Sequence, residues 1–70
     1  MGDSMFFYDG IMLHIGNYKD VIYIDSELII IAFIKYKIKI FGECLNVVSL
    51  NDSELYIQGE VNSLELDKNI

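Results

Sequence analysis

The sequence predicts an all-β domain, an antiparallel meander of six or seven short strands that curls into a small sandwich or roll. Three observations carry this prediction. Ile, Val, Tyr and Phe dominate the chain, and β-branched and aromatic side chains favour a pleated surface. Apolar and polar residues alternate with period two over residues 34–40 and again over 55–61, the pattern of strands with one covered face. Groups of Gly, Asn, Asp, Ser and Glu separate most of the apolar runs, and residues of this kind close turns.

The strands are taken in chain order. Residues 12–15 form a short apolar strand between Asp9-Gly10 and Gly16-Asn17. Residues 21–24 and 28–33 flank the turn Asp25-Ser26-Glu27. The second of these is apolar on both faces, which marks either a strand covered on both sides or a contact surface. Residues 36–41 put Tyr36, Ile38 and Ile40 on one face, with Lys35, Lys37 and Lys39 facing away from them. Gly42-Glu43 then separates residues 45–50, and Asn51-Asp52-Ser53 separates residues 55–58. Residues 61–66 close the fold. The apolar phase there slips by one, from Val61 to Leu64 and Leu66, so a bulge is expected near Asn62-Ser63. Gly59, within an apolar face, is expected at a bend or a close backbone approach. Two stretches echo each other, VIYIDSELIII and VVSLNDSELYI, as a repeated hairpin. Short connections between successive strands favour antiparallel neighbours. The expected organisation is an extension over residues 1–9, one domain over 10–67 and a tail over 68–70.

A chain of 70 residues makes one domain with a modest core. Its stability then depends on a staple. One cysteine and one histidine supply neither a disulfide nor a zinc set, so partner chains remain. The hydrophobic share of 53% points the same way, to protein partners and self-association. Proline, a common guard of sheet edges, is absent. The net charge of −6, without arginine, makes nucleic acid an unexpected partner and argues against an anionic membrane surface. The longest apolar run, Leu28 to Ile34, falls well short of the roughly 20 residues that span a bilayer. The acidic start fits no signal peptide, and Phe6 breaks the myristoylation pattern that Gly2 begins. A cytoplasmic protein is expected.

The chemistry-bearing residues read as structural. The Lys35, Lys37 and Lys39 stripe is a candidate basic face, but alternation of this kind is the ordinary mark of a solvated strand face. The two Asp-Ser-Glu triplets lack the dense oxygen set of a calcium loop and suit turns. His14 has no carboxylate or nucleophile placed beside it by spacing, and Cys44 lacks a CxxC or His partner. The glycines are scattered and form no phosphate loop. No catalytic residue, cofactor, metal or small-molecule substrate is expected. The candidate protein-contact residues are Leu28, Ile29, Ile30, Ile31 and Phe33.

Residues 13–66 resemble the YabP/YqfC family of sporulation proteins. The resemblance rests on IKIFGECLNVVSLN, on the closing LYIQGEVNSLEL, and upstream on DVIYIDSELIII. Leu66 stands where the closing motif has Tyr, and the turn near Tyr36 lacks the family's Gly. The resemblance implies a small non-enzymatic protein of endospore formation in the mother-cell compartment, acting through protein contacts. It supplies no catalytic residues. The alternative is a small β-barrel-like module that binds nucleic acid or an anionic ligand through Lys35, Lys37 and Lys39.

Overall fold

The computed structural model describes residues 5–68. Their six strands are β1 (Met5–Tyr8), β2 (Met12–Gly16), β3 (Asp20–Ile24), β4 (Leu28–Ala32), β5 (Lys37–Leu50) and β6 (Glu54–Asp67), and no helix is present among them. The strands form a single open sheet in the order β1-β2-β6-β5-β4-β3, with every neighbouring pair antiparallel. From β3 to β6 the chain is a meander. β2 steps out of it, because it pairs with β6 instead of its successor β3.

The all-β prediction holds, and β2, β3 and β4 fall close to their expected positions. Two differences stand out. Met5–Tyr8 form an edge strand of the sheet, where the sequence reading has an extension; residues 1–4 of that extension, and 69–70 of the expected tail, lie outside the described residues. The four short strands expected over 36–66 are two continuous strands of 14 residues each. Gly42-Glu43 and the Gly59 region break the apolar pattern without ending the ladder.

At these points the hairpin bends. The β5–β6 register shifts between Phe41 and Gly42 and again between Glu43 and Asn46. Gly42 lies so close to β6 that a Cβ would collide with the Glu60 carbonyl oxygen. Gly59 has φ 141°, and a Cβ there would stand 2.6 Å from the Cys44 carbonyl oxygen. Cys44 itself takes the left-handed region, φ 56°. Phe41 pairs with Ser63 and Gly42 with Val61, leaving Asn62 as the extra residue. This is the bulge that the phase slip anticipates.

The bend divides the sheet into two halves that share one hairpin. In the first half, residues 54–58 lie between β2 and residues 46–50. In the second, residues 37–41 lie between β4 and residues 63–67. Directly opposed residues in an antiparallel pair share a face, so rows of side chains cross each half. The first half carries Tyr8, Leu13, Ile57 and Val47 in one row and Ile15, Leu55 and Leu50 in the next. The second half carries Ile24, Ile29, Ile40 and Leu64, then Val21, Ile31, Ile38 and Leu66. The central members of these rows join Phe33 and Leu45 in one buried cluster. A fully buried Leu or Ile contributes roughly 1.5–3 kcal/mol by transfer from water.

Residues 17–19 cross from one half to the other. Asn17 turns the chain at φ 60°. Its amide donates to the Ser53 carbonyl at 2.8 Å, and the Lys19 amide donates to the Ala32 carbonyl at 2.8 Å.

Candidate functional site

The lysine stripe is placed first. Lys35 is exposed at the tip of the β4–β5 turn, which the Phe33 amide closes by donating to the Tyr36 carbonyl at 2.8 Å. Lys37 faces Asp67 across the β5–β6 ladder and Lys39 faces Glu65. The Lys39 ammonium is 4.0 Å from the Glu65 carboxylate. Tyr36 packs against the core and against Phe33, with ring centroids 5.1 Å apart. Tyr36 therefore does not lie among the lysines as a stacking platform for bases; Phe41 shares the outer face with Lys37 and Lys39, and two of the three lysines oppose carboxylates.

The two-faced run 28–33 is central to the fold. Ile29, Ile31 and Phe33 are buried in the core. Leu28 and Ile30 are half-buried on the outer face, where they oppose Phe41 and Lys39. In this conformation only Leu28 and Ile30 of the five candidate contact residues reach solvent.

The turns account for the acidic triplets. The Asp25 carboxylate accepts from the Glu27 amide at 3.2 Å, and the carbonyls of Ser26 and Glu27 accept from the Leu45 and Gly42 amides of the bend. In the second triplet the capping residue is Asn51, one position earlier. Its side-chain oxygen accepts from the Glu54 amide at 2.9 Å and the Ser53 amide at 3.2 Å. Tyr18 donates its hydroxyl proton to the Asn51 carbonyl. Burial, then the nearby Asp52 and Asp20, pushes this phenol above its ordinary value of 10.0, so it keeps its proton at neutral pH. Near the N-terminus the Asp9 carboxylate accepts from the Met12 and Ile11 amides, both at 2.9 Å. These bonds hold its pKa below the ordinary 3.8.

His14 lies flat against Tyr56, with ring centroids 4.2 Å apart and planes at 9°. Its Nε2 is buried without a hydrogen bond and stands 3.9 Å from the Glu54 carboxylate. Cys44 is exposed and belongs to the bend. Among the described residues, no three His, Cys, Asp or Glu side chains gather in a way that would hold a metal. An open groove of about 410 Å³ runs past Lys19, Asp20, Ile22, Ile34 and Lys37. It lacks the enclosing walls that small-molecule sites use.

The surface with the most unusual composition lies at the strand edges. The core rows continue onto side chains that the opposite half does not reach. Ile24 is 52% exposed, Leu64 50%, Leu66 52% and Leu50 55%. Ile22, Tyr23 and Val48 add to these. Periodicity identifies these residues as inward- or edge-facing, but only the extent of the covering half-sheet shows that they remain wet.

Fold and surface together define a small open-sheet β domain with apolar strand edges. This chain belongs to the YabP family, which matches residues 4–70, and that membership suggests a sporulation-associated role. No curated protein matches it, and no solved structure does. No helix among the described residues is long and apolar enough to cross a membrane.

Proposed function

We propose that this chain is a non-enzymatic structural or interaction protein of endospore formation, working in the mother-cell compartment through protein–protein contacts of its sheet. Self-association is the first of those contacts. The observation that supports this most is the run-out of the apolar rows onto Ile24, Leu64, Leu66 and Leu50. Unpaired strand edges offer backbone donors and acceptors to another chain, and here the adjoining side chains are apolar as well. With Ile29, Ile31 and Phe33 in the core, the contact surface lies at the edges and includes at most Leu28 and Ile30 of the 28–33 run. The lysine-strand alternative has less support, because Lys37 and Lys39 oppose carboxylates.

Sedimentation velocity over a nanomolar-to-micromolar range tests the reading. A particle heavier than one 8.1 kDa chain, dissociating on dilution, is the expected result. A single-chain particle throughout, with no binding of a hydrophobic dye, overturns self-association.

A further inference from the structure

We infer that residues 62–66 of β6 pair with the same residues of a second copy, antiparallel about a twofold axis through Leu64. This rests on the self-association reading and names its surface. β6 is flanked by β2 only over residues 54–58. Just beyond, the Val61 amide donates to the Tyr8 hydroxyl at 3.2 Å. Over residues 62–66 the ladder engages β5 alone among the described strands, so this side of β6 is an open edge.

The second copy follows from phase and charge. Leu64 and Leu66 face inward, while Ser63 and Glu65 face outward. A one-residue slip would set leucines beside carboxylates on the wrong faces, so the axis must pass through a residue. Centred on Glu65, the pair opposes Glu65 with its own copy. Centred on Leu66, it opposes Glu65 with Asp67. Centred on Ser63, it sets Leu64 opposite the polar Asn62. Centred on Leu64, it joins Leu64 to the second copy's Leu64 and sets Glu65 opposite Ser63. In a chain of net charge −6, this register keeps the acids from opposing one another. Like charges directly opposed are destabilising and opposite charges favourable. The buried row Ile29–Ile40–Leu64 then continues into its own copy across an eight-stranded sheet. An interface of this kind uses the same patch twice and closes, so it yields a dimer and not a filament.

Cysteine cross-linking tests the register. Opposed Cα atoms in an antiparallel pair lie roughly 4.5–5.5 Å apart, within the ~4.4–6.8 Å range of disulfides. With Cys44→Ser as background, Leu64→Cys is expected to form a covalent dimer under mild oxidation. Leu66→Cys and Val48→Cys alone should stay monomeric on a denaturing gel. Mixing Leu66→Cys with Asn62→Cys should yield the mixed dimer. Melting curves matching the Cys44→Ser parent establish that each variant is folded. If the parent sediments as an oligomer while Leu64→Cys fails to cross-link, or Val48→Cys cross-links instead, this edge is overturned and self-association stands. A parent that sediments as a monomer at every concentration overturns both.

Discussion

The half-sheet built on β1 and β2 and the half-sheet built on β3 and β4 bury similar rows of Leu and Ile, but they end differently. The edges of the first, Met5–Tyr8 and residues 46–50, contain no charged residue. The edges of the second contain Asp20 on one side and Glu65 and Asp67 on the other. Their outer faces differ in the same sense. One carries the stacked His14 and Tyr56, the other the Lys39–Glu65 pair. Neither contributes much: an exposed ion pair is worth about 0–1 kcal/mol, and an aromatic stack about 0.5–1.5 kcal/mol. What the charges supply is a choice of register. A charged edge admits few pairings, whereas an uncharged edge of strand formers admits many. The uncharged edges here are also short, four residues in β1, and shortness is a recognised protection.

The largest disturbance to this comparison is at the hairpin that both halves share. Gly42→Ala and Gly59→Ala each place a Cβ against backbone carbonyl oxygen. A loss on the order of 3–5 kcal/mol is expected in denaturant unfolding, the range of strained backbone sites. A loss below about 1 kcal/mol would show that the strands can move apart without cost. Next come paired truncations along single rows. Ile40→Ala and Leu55→Ala remove fully buried side chains and should cost about 2–5 kcal/mol. Their row neighbours Leu64→Ala and Leu50→Ala, half exposed, should cost about 1 kcal/mol in the dissociated chain. If the Leu64 edge pairs as inferred, the Leu64→Ala deficit grows with protein concentration and the Leu50→Ala deficit does not.

A smaller effect is expected from charging the uncharged edge. Val48→Lys should leave the unfolding midpoint within about 0.5 kcal/mol and delay turbidity on heating, because an edge lysine opposes strand addition. Unchanged turbidity would locate heat aggregation elsewhere. The smallest change concerns Asp9. Its carboxyl is more acidic when folded than its ordinary 3.8, so the stability it contributes is present at neutral pH. That contribution is lost as pH falls below about 4 and through the lowered value. Melting curves of Asp9→Ala and the parent should differ at neutral pH and converge in acid; a gap independent of pH would contradict the role of the Met12 and Ile11 amides.

Much of the fold is legible in the sequence for identifiable reasons. The alternation at 34–40 places Ile38 and Ile40 in the core and sets Lys37 and Lys39 opposite Asp67 and Glu65. The phase slip after Val61 locates the Asn62 bulge, because a single extra residue must shift period two by one. Gly42 and Gly59 mislead in the other direction. As sequence they read as strand breaks, and in space they are where two strands come too close for a side chain. β1 escapes notice because MFFY is four residues without alternation. The run 28–33 is correctly two-faced, but its core role depends on β3 and β5 lying on either side of β4. The exposed edge leucines are the least legible feature, since periodicity gives a face and not the width of what covers it.

The continuous β5 and β6 also bear on modularity. Each supplies a strand to both halves, so neither half can be excised, grafted or exchanged while the other stays intact. Native-state hydrogen exchange should register this as shared protection. Amides of Ile38 and Ile40 in one half, and of Leu55 and Ile57 in the other, should open with the same free energy and respond together to denaturant, as one cooperative unit.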